Sequence, residues 1–481
     1  MAHSKEMQEQ PKIVVGIDIG TTKIATIIGY QNSDGKIDVL GYGKGDSTGV
    51  QHGLIFNINK TVDGINVAKN TAVSRSGQEF ESVYAGVAGR HINSMEFKHV
   101  ITRRNGKEEI IRQEEIDKMV EDLENISVKP GEKIITVIPQ RFVIDNIRET
   151  NEPVGELGEL IVGYFQIITG NDFEITKIIR CINECDLLVN DIILEPIASA
   201  LVCLTQEEKQ QGVVLVDIGG GTTDVIIYAD GNPVFTKVIP IGGNVITKDI
   251  ASVCQIPEDL AEKLKCGYGT CVIEKSNKNN FITIPQFHES APKQISEPFL
   301  AEIIYSRVQM DILNQIQKAI SESGYEKKIR AGVVLTGGGS SLKHLKELCQ
   351  YTLQRSTRIG IPDIGFVNSI PAELKQPMFA TSLGLLKHGI QVVEKEGSEG
   401  ERRREKGEGK KGGEGRKGEG KKGESTKGES RKGEVYKGEG KKVEGKKIEG
   451  KKGEGRKGDK NGASIWDSIK GFLDEITEKT S

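Results

Sequence analysis

Three short glycine-rich turns, each closing a run of apolar residues, limit what this chain can fold into. They are Asp18-Ile19-Gly20-Thr21-Thr22-Lys23, Asp217-Ile218-Gly219-Gly220-Gly221-Thr222-Thr223-Asp224 and Thr336-Gly337-Gly338-Gly339-Ser340. The first two share one plan: strand, Asp, small-residue turn, strand. They recur about 200 residues apart, which predicts two halves of like fold facing each other. A turn of small residues points several backbone N–H groups at one spot, and without Cβ atoms an anion can come close. Two such hairpins, one from each half, can hold successive phosphates from opposite sides. The Asp before each is placed to hold Mg2+ through water or to orient an attacking water. The third turn joins a strand to a helix, where backbone can lie against a nucleotide. Any one of these turns alone is also an ordinary chain reversal; the weight rests on all three in order.

Periodicity fills in the rest. Residues 13–18, 23–29 and 37–41 read as a β-meander, and 61–76 as a helix with Val62, Ile65, Ala68 and Ala72 on one side. A separate α/β module is expected over 81–170, with a strand at 83–88, a hairpin, a helix at 113–124 and a strand at 133–139. Helix 172–183, strand 187–194 and a helix opened by Glu195-Pro196 return to the first half. Strands near 212–217, 225–228 and 331–335 belong to the second half, with a long amphipathic helix at 297–323. A last helix near 377–389 closes the body.

The three turns resemble the phosphate-1, phosphate-2 and adenosine motifs of the actin, Hsp70 and sugar kinase superfamily. The resemblance implies an α/β, actin-like (ribonuclease H-like) two-domain ATPase fold that takes ATP and Mg2+. It implies that Asp18 and Asp217 serve the metal and water network. Gly20, Thr21, Thr22, Lys23, Gly219, Gly220, Gly221 and Thr222 would cradle phosphates. Gly337, Gly338, Gly339 and Ser340 would lie by the adenosine. Glu195 stands where relatives place an acid or Gln that positions water; read without them, it is a helix-start carboxylate favoured by the dipole. Glu262 and Lys265 resemble ribose and adenine contacts of filament-forming relatives, and are otherwise a solvated helix face.

Within that superfamily, Val83-Tyr84-Ala85-Gly86-Val87-Ala88-Gly89-Arg90-His91-Ile92, Val137-Ile138-Pro139-Gln140-Arg141-Phe142 and Val238-Ile239-Pro240-Ile241-Gly242-Gly243-Asn244 look like the FtsA family of bacterial cell-division proteins, over residues 12–390. The implied layout is a disordered N-terminus (1–11) and subdomain 1A (12–80, 171–205 and a closing helix at 372–392). Subdomain 1C is inserted at 81–170. Subdomain 2A covers 206–240 and 330–371, and 2B covers 241–329. The resemblance further implies head-to-tail filaments, binding of the tubulin-like protein FtsZ through 2B, and recruitment of later division proteins by the insert. Slow ATP hydrolysis is compatible with it.

The far end of the chain carries an independent signal. Residues 394–460 hold about 24 Lys and Arg against about 16 Asp and Glu, with almost no apolar side chains, and are expected to be disordered. The tether, 393–462, would reach about 45 Å as a coil. At about 100° per residue, Ile465, Trp466, Ile469, Phe472, Leu473 and Ile476 fall within about 120° of one another. That stripe, within 463–481, predicts an amphipathic helix lying in the membrane interface, peripheral on the cytoplasmic side at the division site. Trp466, the chain's one Trp, suits that interface. The helix has two Lys and four acidic residues, so tether Lys and Arg would supply attraction to anionic lipid. Docking on the body or a partner is the alternative use of the stripe.

The net charge of -3 conceals a body acidic by about -10 beside this basic tether, which argues against nucleic acid as a ligand. Residues 1–12 are polar with no signal-type apolar run, and seven scattered Cys fit free thiols in a cytosolic protein. Rival readings are a small-molecule kinase, an Hsp70-like chaperone ATPase and a pilus-assembly actin-like ATPase. The kinase would have no use for a lipid helix, the chaperone should carry a peptide-binding β-domain, and the pilus protein would lack the lipid helix.

Overall fold

A computed structural model describes residues 12–105, 109–284, 293–367 and 370–408. The chain opens with β1 (Val14–Ile19), β2 (Lys23–Gln31) and β3 (Ile37–Asp46), an antiparallel meander. A small hairpin, β4 (Val50–Gln51) and β5 (Leu54–Ile55), leads into α1 (Ile58–Ser76). Asn57 caps α1 by accepting from the Lys60 N–H, and Gly77 ends it in the left-handed region, as small or polar residues do at helix ends. Next, β6 (Ser82–Val87) pairs with β1 in parallel.

The chain then leaves the sheet to build a module of its own from β7 (Asn93–Thr102), α2 (Gln113–Glu124), β8 (Glu132–Ile144), β9 (Arg148–Thr150) and β10 (Leu160–Asn171). Its sheet runs β7-β10-β8-β9, antiparallel throughout. Ile116, Met119 and Leu123 of α2 bury against Val137, Phe142, Ile161, Phe165 and Ile167. The module leans on the second half, where Gln140 Nε2 donates to the Pro233 carbonyl at 2.7 Å.

Helix α3 (Asp172–Asn183) returns to β11 (Leu188–Leu194), which lies beside β6 and completes the order β11-β6-β1-β2-β3. Two helices, α4 (Glu195–Cys203) and the short α5 (Gln206–Gln211), lead to the second half. There β12 (Val213–Ile218), β13 (Thr223–Ala229) and β14 (Asn232–Ile239) repeat the meander. Helices α6 (Gly243–Cys254) and α7 (Glu258–Tyr268), the hairpin of β15 (Phe281–Ile284) and β16 (Lys293–Ser296), α8 (Glu297–Arg307) and α9 (Asn314–Glu322) follow. The long helix expected over 297–323 is thus present but carries a π-type turn at Val308–Leu313. Last come β17 (Gly332–Thr336), α10 (Leu345–Leu353), β18 (Thr357–Ile359) and α11 (Ala380–Glu408).

The second sheet, β14-β13-β12-β17-β18, has the same order and the same sense of pairing as the first. Both are three antiparallel strands joined to two parallel ones, so the repeat in sequence is a repeat of fold. Helices α4 and α11 lie between the sheets. One core spans both sheets through Ala25, Ile27, Tyr84, Val202, Leu215, Ile226, Val334, Leu383 and Leu386. The crossing of α4 and α11 is close: a Cβ on Gly384 would stand 2.0 Å from the Ala198 carbonyl oxygen. Outer cores cover the other faces, with α1 and α3 on the first sheet and α6 to α10 on the second.

Two boundaries differ from expectation. The strand at 83–88 was assigned to the insert, yet β6 is a central strand of the first sheet. Its buried, wholly apolar middle is what a parallel strand covered on both faces requires. The closing helix, expected at 372–392, begins at Ala380 and continues to Glu408, so residues 393–408 are helical rather than disordered tether. Glu, Lys and Arg are good helix formers, which lets the helix outlast its buried stretch. The tether beyond 408 and the apolar stripe at Ile465, Trp466, Ile469, Phe472, Leu473 and Ile476 lie outside the described residues.

Candidate nucleotide site

The two hairpin tips are built alike. In β1–β2 the last paired residues are Ile19 and Ile24; in β12–β13 they are Ile218 and Thr223. Four residues span each gap, closed by the same bond: Gly20 N–H to the Lys23 carbonyl at 3.0 Å, and Gly219 N–H to the Thr222 carbonyl at 2.9 Å. The N–H groups of Thr21, Thr22, Gly220 and Gly221 find no acceptor among the described residues. Helix α6 fixes the second tip from behind, because Gly243 N–H donates to the Gly219 carbonyl at 2.9 Å and Asn244 N–H to the Gly220 carbonyl at 2.8 Å. Holding carbonyls from one side leaves the amides to face the other. The tips meet across the cleft, where a Cβ on Gly220 would lie 2.3 Å from Thr22 Cγ2, and one on Gly221 2.7 Å from Thr21 Oγ1.

The third turn arrives from β17, paired so that Thr336 lies opposite Asp217. Gly337 has φ +80°, and a Cβ there would sit 2.2 Å from Asp217 Oδ1. The turn continues as a single 3-10 turn, Gly338–Ser341, and α10 starts only at Leu345. Gly338 lines the cleft, whereas Ser340 folds back to donate to the Gly337 carbonyl at 2.7 Å.

Four acidic side chains converge on this space with one lysine. Asp18, Glu195, Asp217 and Asp224 all line it, together with Lys23. Lys23 Nζ is 2.8 Å from Asp18 Oδ2. Asp217 Oδ2 accepts from Ser199 Oγ at 2.8 Å and from Thr381 Oγ1 at 3.3 Å. Burial raises the pKa of Asp217 above the ordinary value, opposed by Ser199. Asp224 accepts from Thr222 Oγ1 at 3.3 Å through Oδ2, while its Oδ1 is buried without a partner. Burial, then the Asp217 charge, pushes Asp224 up to about 8. Glu195 opens α4 and is partly buried; burial and the charges of Asp18, Asp224 and Asp217 push it well above the usual carboxylate range. Gly86 of β6 makes its room, since a Cβ there would be 2.8 Å from Glu195 Cγ.

Such an excess of buried carboxylate calls for a cation, and the orphaned Asp224 oxygen marks a polar group with an unfilled requirement. Among the described residues no three His, Cys, Asp or Glu side chains are gathered closely enough to ligate an ion directly. The buried Asp18, Asp217 and Asp224 carboxylates are the kind of acceptor to which the waters of a hydrated Mg2+ donate. The space within the walls is about 90 Å³, short of the roughly 300–1,000 Å³ of a whole small-molecule pocket. It has room for the charged end of a ligand.

Of the expected residues, the structure brings together Asp18, Gly20, Thr21, Thr22, Lys23, Glu195, Asp217, Gly219, Gly220, Gly221, Thr222, Gly337 and Gly338. Gly339 packs beside Ile218. Glu262 and Lys265 stand one layer back. Lys265 is buried, donates to the Gly243 carbonyl at 3.0 Å and to Thr247 Oγ1 at 2.9 Å, and pairs with Glu262 at 2.7 Å. They brace the first turn of α6, which holds the second tip. Asp224, Ser199, Thr381, Pro377 and Met378 were not expected in the site. Asp224 was visible as the last residue of the second motif, and Ser199 as the residue one helical turn beyond Glu195. Nothing local marks Thr381.

Comparison with known proteins agrees on fold and kinship. A family model described as "Cell division protein FtsA" matches residues 214–384, and one described as "SHS2 domain inserted in FTSA" matches 89–169. The cell division protein FtsA of Pseudomonas aeruginosa is 33% identical over 380 residues, 79% of this chain and 90% of that protein. Among solved structures, a chain of the PilM-PilN type IV pilus biogenesis complex superposes with TM-score 0.57 at 14% identity, covering 78% of this chain and 98% of its own. MreB 5 of Spiroplasma citri bound to AMPPNP gives 0.50 at 14%, covering 82% and 100%. Likeness at that identity concerns the fold alone, which is actin-like.

Proposed function

The chain belongs to the FtsA family of cell-division proteins, and from that membership we propose that it binds ATP with Mg2+ between its two halves, assembles into actin-like filaments, and holds FtsZ at the membrane. The observation that carries the nucleotide part is the pair of matched hairpin tips, which meet across a space lined by the carboxylates of Asp18, Glu195, Asp217 and Asp224 and leave amides without acceptors among the described residues. The fold is also that of a protein whose structure was solved with the ATP analogue AMPPNP. Amides of Thr21, Thr22, Gly220 and Gly221, with Lys23 released from Asp18, would take the phosphates. Asp18, Asp217 and Asp224 would hold the hydrated ion. Bound Mg2+ supplies charge neutralisation at the phosphates. Glu195, a carboxyl whose pKa lies well up, is suited to orient or deprotonate a water. The thirteen cleft residues named above, with Asp224, would take the phosphate end and its ion; Glu262 and Lys265, beside that space, are kept as the contacts to ribose and adenine.

The membrane part rests on the apolar stripe at 463–481. Among the described residues no helix is long and apolar enough to cross a membrane. Attachment by a helix lying in the interface, at the division site on the cytoplasmic side, accords with the stripe. The FtsZ contact is assigned to residues 241–329, and the insert is assigned to assembly and later division proteins.

The test is co-sedimentation of the full chain with FtsZ and with vesicles containing about a third anionic lipid, with and without ATP and Mg2+. The reading expects FtsZ in the vesicle pellet only when this protein is present, more of it with ATP, and none after deletion of 463–481. Vesicle binding unchanged by that deletion would refute the membrane part. Equal ATP binding by wild type and Asp217→Ala would refute the site.

A further inference from the structure

The hairpin β4–β5 has no part in the site as described, yet it touches everything the site must control. Its tip is two residues long, since Gln51 pairs with Leu54. His52 has φ +48° and Gly53 φ +75°, the pair of left-handed residues that a type I′ turn requires. The tip belongs to the first half but reaches the second, where His52 Nδ1 lies 2.9 Å from the Gly221 carbonyl oxygen. That oxygen only accepts, so Nδ1 carries the proton and donates. The approach is backbone to backbone: a Cβ on Gly221 would fall 2.9 Å from His52 N. Beside it, Gly53 N–H donates to Thr21 Oγ1 at 3.3 Å. The tip thus grips both phosphate-facing turns at once.

Its other side faces the inserted module. A Cβ on Gly53 would lie 3.0 Å from Gly89 Cα, and one on Gly89 3.0 Å from His91 Nδ1. Gly89, at φ +124°, is the bend through which the chain leaves β6 for the module. The root of the hairpin is held at the module's exit, because Lys177 of α3 donates to the Ile55 carbonyl at 3.3 Å. Entry and exit of the insert therefore both bear on one hairpin. Ile92 N–H closes this bend on the Gly89 carbonyl at 3.1 Å, and His91 packs inside it with both ring nitrogens buried and without a partner among the described residues.

We infer that His52 is a positioning residue which closes the cleft over bound nucleotide and, through Gly53 and Gly89, passes the state of the phosphate turns to the inserted module. The inference rests on the nucleotide-binding reading above. Phosphate between the tips changes what Thr21 and Gly221 bond to, and His52-Gly53 is bonded to both. A displacement there has two rigid contacts to follow, one at each end of the insert.

The experiment uses the full chain and two variants. His52→Gly removes the ring without straining a left-handed position, which Ala would strain; His52→Asn keeps an N–H donor on a residue that tolerates that backbone. Dissociation of a fluorescent ATP analogue with Mg2+ is followed by stopped flow. Hydrogen exchange is measured at 89–92 and 113–124 with and without ATP. Wild type should show ATP-dependent protection at both segments. His52→Gly should still bind, should release nucleotide roughly two- to ten-fold faster, the range one hydrogen bond supports, and should lose the ATP response at 89–92 and 113–124. His52→Asn should recover part of both. Variants that bind and release nucleotide as wild type does and keep the response in the insert would overturn the inference alone. Failure of wild type to bind ATP would overturn the nucleotide reading and this inference with it.

Discussion

At the scale of single residues the cleft is a balance of charge and close approach. Glu195 is the informative probe. Its carboxyl shares the cleft with three others, and burial with their charges raises its pKa, so the isosteric Glu195→Gln should leave thermal stability within about 1 kcal/mol. It should leave ATP affinity within a few-fold, whereas Glu195→Ala, which leaves no group to hold a water, should slow phosphate release in a single-turnover assay by at least roughly ten-fold. An unchanged rate would remove Glu195 from the chemistry. Gly337→Ala is the opposite case. A Cβ would collide with Asp217 Oδ1, and at φ 80°, ψ 167° the backbone lies in a region kept essentially to glycine, which costs other residues about 1–3 kcal/mol. Loss of both stability and nucleotide binding is expected, read by a thermal melt and an equilibrium titration. The glycines and the two leading Asp residues were legible because one short motif carries each tip. Thr381 was not, since its oxygen meets Asp217 only after α11 packs between the sheets. Nor was His52, whose partner lies 169 residues away.

At the scale of elements the reading of the sequence failed where an element takes its character from its neighbours. Strand β6 looks like part of the insert because insert and sheet are adjacent in sequence. Only its pairing with β1 and β11 assigns it. Helix α11 looked like tether from residue 393 because charge was read as disorder, although the same residues propagate a helix already nucleated by its buried turns. Helix α5 shows how few contacts define a short element. Thr205 and Glu208 form a capping box at its start, and Glu208 also takes two guanidinium bonds from Arg358, at 2.7 and 2.6 Å. Burial opposes ionisation of Glu208, but Arg358 and the Thr205 N–H outweigh it and its pKa lies below the ordinary value. The sign follows: a depressed carboxylate contributes stability above its unfolded pKa and loses it as pH falls through the folded one. Glu208→Gln should therefore cost about 1 kcal/mol at pH 7. The difference from wild type should close below about pH 4, as followed by denaturant melts across pH.

At the scale of the whole molecule the proposed function makes a claim that can be measured: a nucleotide cleft would set how many copies of the chain attach to one membrane surface. On the reading proposed above, each protomer would carry one interfacial helix, and a lone helix of that size would bind reversibly. In a filament the helices act together, so small differences per helix multiply with the number of copies engaged. Phe472 is a fair measure of that gain. Truncation to Ala removes roughly 2 kcal/mol of apolar burial from one helix. For protein that stays monomeric, Phe472→Ala should weaken vesicle binding by roughly thirty-fold. Under conditions that assemble filaments, wild type should bind steeply over a narrow range of protein concentration. The variant should then show a much larger shift of that range than thirty-fold, because every engaged copy loses the same amount. Vesicle flotation across a protein dilution series, with ATP and without, separates the two regimes. A shift of equal size in both would mean that assembly contributes nothing to attachment. In that case the cleft would control something other than the number of helices on the membrane.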